Sequence, residues 1–173
     1  MGDIAEEIAE FLDPDSHREI RPGLRLIPFA MSGGGDLYCF HLNTSTDAGV
    51  PVVYMYHDVD EATFQAKNLQ DFMFRSLLEA VVEVDADSLI VVGDFAENCQ
   101  AVLDTHGPFL SARQRDVVAD IYRRELRTWV RQLPRGRATT YQGLLSDEEL
   151  AQILGTEISF EQLDQSFTYM LED

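Results

Sequence analysis

The stretch IPFAMSGGGDLYCFHLN, from Ile27 to Asn43, decides the fold, because two apolar segments meet across a run of glycines. The glycines are Gly33, Gly34 and Gly35. A phosphate-binding loop leads from a strand into a helix, whereas these glycines lead into a second, aromatic-rich segment. The run therefore predicts a hairpin in which a glycine adopts φ > 0 and Asp36 bonds backbone amides.

The apolar segments on both sides of the glycines are typical of strands. LRLIPFA is the first strand, and Pro28 places it at a sheet edge or a bulge. DLYCFHL (36–42) is the second, and PVVYMY (51–56), beyond a loop of turn formers, is the third. The short connections predict an antiparallel meander.

Helical patterns flank these strands. Apolar residues at helical spacing predict helices over 3–12 and 69–84. For 87–104 we prefer a helix, although SLIVV within it also fits a strand. Capping boxes predict three more helix starts, the first helix running to about Leu133. The boxes pair Ser111 with Gln114, Ser146 with Glu149 and Ser159 with Gln162.

These elements predict an α+β fold, with an antiparallel sheet of three or more strands in the N-terminal half, flanked by helices, and a helical C-terminal half. We expect an α+β core over 1–85 and a helical extension over 86–173, packed as one unit.

Composition narrows the classes of function. The 173 residues carry a net charge of −18, which argues against binding to nucleic acid or anionic membranes. No stretch has the roughly 18 apolar residues of a membrane helix, and the acidic N-terminus does not resemble a secretion signal. Cys39 and Cys99 are expected to be reduced, and the protein to be cytoplasmic.

Catalytic and metal sites are weakly indicated. In HDVD, Asp58 and Asp60 could hold Mg²⁺, but the Gly-Ser helix start and the cations of nucleotidyl-transferring sites are missing, which favours a capping loop. No histidine sits in a nucleophile motif. The histidines are His17, His41, His57 and His106. We therefore predict no catalytic residues, no cofactor and no metal.

An arginine-rich segment interrupts the acidic chain. Residues 1–110 have a net charge of −15, residues 111–137 of +5, and residues 138–173 of −8. Arg123, Arg127 and Arg131 recur every four residues, as on one helical stripe. The stripe could recognise a carboxylate or phosphate, or it could pair with the protein's own acids, and we favour self-pairing.

Three segments in order resemble the SUKH superfamily, specifically its Smi/Knr branch. They are LIPFAMSGGGDLYCFHL, PVVYMYHD and FQAKNLQDFMFRSL, over about Leu24 to Leu78. The first resembles the family's strand, Gly-Asp turn and aromatic strand, and the third resembles the helix that follows. We find no counterpart of the family's N-terminal segment before Leu24.

The resemblance implies a sheet flanked by helices, without a known catalytic site. Many bacterial members are immunity proteins of polymorphic toxin systems, and others are scaffolding or regulatory proteins. We therefore expect a non-enzymatic protein-binding domain that neutralises a toxin domain, with an intracellular adaptor as the alternative. The glycines, Pro28 and Asp36 are then structural, and the acidic charge predicts a partner with a basic face.

Overall fold

The computed structural model describes residues 20–84, 90, 92–132 and 136–171. It has an α+β fold with a helical C-terminal part, which confirms the predicted class. The strands are β1 (Leu26–Met31), β2 (Leu37–His41), β3 (Val52–Met55), β4 (Ala62–Ala66), β5 (Arg127–Gln132), β6 (Ala138–Gly143) and β7 (Ser166–Phe167). The helices are α1 (Leu69–Glu79), α2 (Phe95–His106), α3 (Ala112–Tyr122) and α4 (Asp147–Glu157), with 3-10 turns at Leu42–Thr44 and Gly107–Phe109.

The chain forms two compact units. One contains Met1–Phe72 with Phe160–Asp173, and the other contains Met73–Ser159. The predicted helix over 3–12 lies outside the described residues.

The first unit is built on a five-stranded antiparallel sheet in the order β1-β2-β3-β4-β7. The predicted meander of the first three strands is confirmed. β1 lies at the edge, and its register shifts between Pro28 and Ala30, so the proline sits at an edge bulge.

Strand alternation gives this sheet two different faces. Cys39, Val53 and Phe64 belong to a buried cluster with Tyr169. The residues between them on β2 and β3 are aromatic and half-buried: the Tyr38 and Tyr54 rings lie 4.8 Å apart. One face of the sheet therefore packs in a buried cluster, and the other carries half-buried aromatic side chains.

β4 was missed by the sequence analysis, which placed its residues from Phe64 onward in the helix that begins only at Leu69. β4 alternates buried Ala62, Phe64 and Ala66 with half-buried Thr63 and Gln65, which is the period of a strand, and it pairs with β3. β7 was missed as well. It lies where the Ser159 capping box predicted a helix, and the structure has turns at 161–164 instead.

The second unit contains most of α1, the helices α2, α3 and α4, and the hairpin of β5 and β6. The capping boxes of Ser111 and Ser146 are both formed, as predicted, at the starts of α3 and α4. The predicted helix over 87–104 is confirmed from Phe95 onward, where the Asp94 side chain caps it. Residues 92–94 are not helical, and 85–89 and 91 lie outside the described residues.

The helix predicted from Ser111 to Leu133 is wrong beyond Tyr122, where α3 ends. Residues 127–132 form β5, which pairs with β6 over six positions. The segment around Trp129 has β-branched neighbours, Thr128 and Val130, and its apolar residues fit helical spacing only by coincidence. β6 begins six residues after β5 ends, so the two form a hairpin, and the prediction followed the helical spacing without weighing this neighbouring strand.

Candidate functional site: the hairpin end of the five-stranded sheet

Two tight turns project from one end of the sheet. Met31, Leu37, Met55 and Ala62 are cross-strand neighbours in one row, at which β1 ends, β2 begins, β3 ends and β4 begins. The turns beyond this row are residues 32–36 and 56–61. We call residues 31–35 and 57–61 the hairpin end.

The first turn is organised by Ser32. Its hydroxyl accepts the backbone N–H of Gly34 at 3.2 Å and that of Asp36 at 3.1 Å. Gly35 has φ +93° and donates its N–H to the Ser32 carbonyl at 3.1 Å. This φ is one that L side chains rarely adopt, so glycine is required there.

Asp36 joins the first turn to the end of β3. Its carboxylate accepts the Tyr54 hydroxyl at 2.5 Å, and both the backbone N–H and the Nδ1 of His57, at 2.9 and 2.7 Å. We expected Asp36 to bond amides of its own turn, but Ser32 does so, and Asp36 binds one amide of the neighbouring strand. The Tyr54 hydroxyl above all, with the His57 bonds, holds the Asp36 pKa far below its usual range.

The second turn is fixed by Asp60. Its Oδ1 accepts the backbone N–H groups of Tyr169 and Met170, both at 2.7 Å. The Tyr169 hydroxyl in turn donates to the Tyr56 carbonyl at 2.7 Å. Asp60 therefore anchors the C-terminal segment to the turn.

Asp58 and Asp60, the pair that we weighed as a magnesium site, have different neighbours. Asp58 has ligand atoms within 4.8 Å of those of Asp36 and His57. A cation there would compete with the Tyr54 and His57 donors that the Asp36 carboxylate already accepts. The geometry therefore favours an internal hydrogen-bond network over a metal centre.

The three described histidines do not converge on a catalytic arrangement. His41 is buried, 2.7 Å from the Thr44 hydroxyl, and burial lowers its pKa. His106 lies in α2 with its ring against the Val102 carbonyl, and His17 lies outside the described residues. Of the four, His57 belongs to the hairpin end.

The surface of the hairpin end mixes apolar and acidic groups. Met31 and Val59 are 43% and 48% exposed, and Asp58 and Glu61 are exposed beside them in sequence. Gly33 and Gly34 are exposed and leave their backbone uncovered. Residues 31–35 and 57–61 contain no lysine or arginine. This is a surface suited to contact with a protein that presents basic and apolar groups.

The arginine stripe is not a helical stripe, because Arg127 and Arg131 lie on β5 and Arg123 caps the end of α3. The two strand arginines share one face of the hairpin. Arg127 lies over the Trp129 ring at 4.5 Å, and Arg131 over the Tyr141 ring at 4.4 Å.

Both strand arginines also pair with acids of their own unit. Arg127 binds Glu149 at 3.1 Å. Arg131 binds Asp147 at 3.0 Å and Glu83 at 2.9 Å. The hydrogen bonds from Arg131 lower the Asp147 pKa. These contacts agree with the self-pairing that we favoured.

Sequence reasoning missed the roles of Ser32 and Tyr54. A serine just before a glycine run and four residues before an aspartate is a local signal for an ST-turn, and could have been used. The bond from Tyr54 to Asp36 depends on the register of β2 against β3, which no local pattern specifies.

Comparison with known proteins identifies the N-terminal part of the chain. The model of the SMI1 / KNR4 family (SUKH-1) matches residues 2–75. The match therefore includes the segment before Leu24, in which we had found no counterpart. No curated protein and no solved structure matches the chain. Within the described residues, no helix has the length and apolar character to cross a membrane. The resemblance to the SUKH superfamily, Smi/Knr branch, is thus confirmed, over residues 2–75 of this chain.

Proposed function

We propose that this protein is a non-enzymatic binding protein of the cytoplasm, an immunity protein that neutralises a cognate toxin of a bacterial polymorphic toxin system. The observation that carries the proposal is the match of residues 2–75 to the SUKH-1 family, many of whose bacterial members resemble immunity proteins. An intracellular scaffold or regulatory adaptor is the alternative.

The charge supports a partner with a basic face. Residues 1–110 have a net charge of −15, and at the hairpin end Asp58 and Glu61 lie beside the exposed Val59. Long-range attraction speeds the approach of oppositely charged surfaces, and an apolar side chain between them adds buried area on docking. We propose that the hairpin end contacts the toxin domain, and that residues of the second unit add specificity.

The test begins with capture of the partner from the source cell and its identification by mass spectrometry. A toxin domain supports the proposal. A housekeeping protein without toxicity supports the adaptor instead.

Association of the purified pair is then measured by stopped flow. If acidic steering operates, the rate falls as the Debye length shrinks from about 10 Å at 0.1 M salt to about 3 Å at 1 M. A rate that stays flat across this range would contradict a basic partner face.

Two variants locate the contact. Asp58→Lys should slow association, and most at low salt, where the attraction that it removes is least screened. Val59→Lys should speed dissociation. Asp116→Lys is the matched control, since Asp116 is an exposed acid on α3 in the second unit. If all three variants bind alike, the hairpin end is not the contact surface.

A further inference from the structure

Among the described residues, the outer edge of β5 has backbone groups without a backbone partner, and these groups are arranged for strand pairing. There, β5 pairs with β6 in a two-stranded sheet. On β6, the Gln142 carbonyl accepts the Val84 N–H at 2.7 Å, and the Leu144 N–H donates to the Val81 carbonyl at 2.8 Å. The backbone groups of these alternate residues therefore point away from β5.

The alternation of backbone groups along β6 determines which β5 groups face outward. Gln142 lies opposite Thr128, so the two form a pair without mutual backbone hydrogen bonds. Thr128, Val130 and Gln132 consequently direct their N–H and C=O groups to the outer edge. In the described part of the chain, no backbone group of another element bonds to them.

Both edges of the five-stranded sheet are protected in ways that the β5 edge is not. β1 has Pro28 and a bulge, and β7 has only two residues, both common ways of blocking an edge. β5 keeps a continuous register with β6 over six positions and contains neither proline nor lysine.

The two charged side chains of β5 are compensated within their own unit. Thr128, Val130 and Gln132 share one exposed face, and Val130 is 62% exposed. The strand's charged residues, Arg127 and Arg131, lie on the opposite face, where they stack on aromatic rings and pair with acids.

We propose that this edge pairs with the same edge of a second copy, which gives an antiparallel four-stranded sheet across a two-fold axis at Val130. The edge is complementary to itself. Val130 meets its own counterpart, Thr128 meets Gln132 of the second copy, and all three residues present free N–H and C=O groups to each other. On the other face, Trp129 meets Arg131 of the second copy, so a guanidinium faces an indole and no two like charges are directly opposed.

The net charge of −18 on each copy opposes this association, and salt screens that repulsion. The dimer therefore strengthens as salt rises. Binding to a toxin through acidic steering weakens under the same change. Rising salt therefore moves the two associations in opposite directions, and either proposal can be contradicted without the other.

The experiment is sedimentation of the full chain from about 10 µM to about 1 mM, at low and high salt. The mass should rise from the 19.6 kDa of one chain towards twice that value, at lower concentration in high salt. Trp129, the single tryptophan, lies on β5, so its emission should change over the same concentrations. A mass that stays at one chain throughout would overturn the proposal.

Two variants and a matched control locate the interface. Val130→Lys brings two like charges together at the axis and should give a monomer. Val130→Pro removes the N–H at the axis without breaking a bond to β6, and should do the same. Thr140→Lys adds an equal charge to the same exposed face, one strand in from the edge, and should dimerise like the wild type.

Far-UV circular dichroism establishes that each variant is folded. As a second measurement on the wild type, the amides of Thr128 and Val130 should exchange more slowly at high protein concentration. Pairing through β5 would be contradicted by folded Val130 variants that still dimerise. It would also be contradicted by amide exchange rates at these two residues that do not depend on protein concentration.

Discussion

Replacing Asp36 by alanine should destabilise the first unit more than any other single change at the hairpin end. The carboxylate accepts three short hydrogen bonds, one from Tyr54 and two from His57. A bond to a charged group contributes about 1.5–3 kcal/mol when it is shielded from water. The Asp36 side chain is 15% exposed, so the Tyr54 bond counts nearly in full, whereas the His57 side chain is 44% exposed and water replaces much of its contribution.

We therefore expect Asp36→Ala to lower the free energy of unfolding by about 2–3 kcal/mol. Asp36→Asn keeps one acceptor oxygen and should cost about half as much. Asp58→Ala is the matched control: it removes an exposed carboxylate of the same surface and should change stability by less than about 0.5 kcal/mol.

The assay is urea unfolding followed by far-UV circular dichroism and, in parallel, by Trp129 fluorescence. Trp129 belongs to the second unit. If the transition shifts in the dichroism signal and not in the fluorescence signal, the lost stability belongs to the first unit. An Asp36→Ala variant as stable as Asp58→Ala would refute the reasoning.

Acid provides a second check on the same residue. The folded-state pKa of Asp36 lies below its ordinary value of 3.8, so the carboxylate contributes its full stability above that pH. The contribution begins to fall once the pH drops below 3.8 and is gone only below the lowered folded-state pKa. The stability gap between the wild type and Asp36→Asn should therefore narrow from pH 6 towards pH 3. A gap that widens in acid would show that the charged form is not the one stabilised.

Three further changes follow from the backbone and the acidic turns. Gly35→Val should cost about 1 kcal/mol or more, because φ +93° strains a β-branched residue; an unchanged melting temperature would contradict this. Gly143→Ala should unfold the second unit or lower its free energy of unfolding by several kcal/mol, since the new Cβ would lie 2.0 Å from the Val82 carbonyl oxygen. Gly155→Ala in α4 meets open space and should raise the free energy of unfolding by about 0.5–1 kcal/mol in the same melt. Calorimetric titration with Mg²⁺ should show no micromolar binding, and binding lost in Asp58→Ala would reverse that expectation.

The sequence predicted elements whose signals are local. The strands around the glycine run show alternating burial and are bounded by turn residues with distinct backbone preferences. The Ser111 and Ser146 capping boxes mark helix starts by contacts within four residues. The third capping box, at Ser159, has the same spacing but does not begin a helix. A capping box stabilises a helix start, but it does not specify that the following residues form a helix.

Two of the missed strands, β4 and β5, are each one strand of a hairpin, with β3 and β6 as partners. Over Arg127–Gln132 we followed helical spacing, and over the residues from Phe64 we followed the resemblance to a family helix, so strand pairing with the neighbouring segment was not weighed. The candidate site shows the same limit. Local sequence indicated the glycine turn, whereas the network around Asp36 needs Tyr54 and His57, some 20 residues further along.

We propose that this chain binds and neutralises a toxin domain. Growth of cells in which the captured domain is induced, with and without co-expression of this chain, tests this directly. We expect the domain alone to arrest growth and the chain to restore it. Asp116→Lys should restore growth equally, and Asp58→Lys should restore it less. Arrest that continues despite a folded, co-expressed chain would contradict the claim.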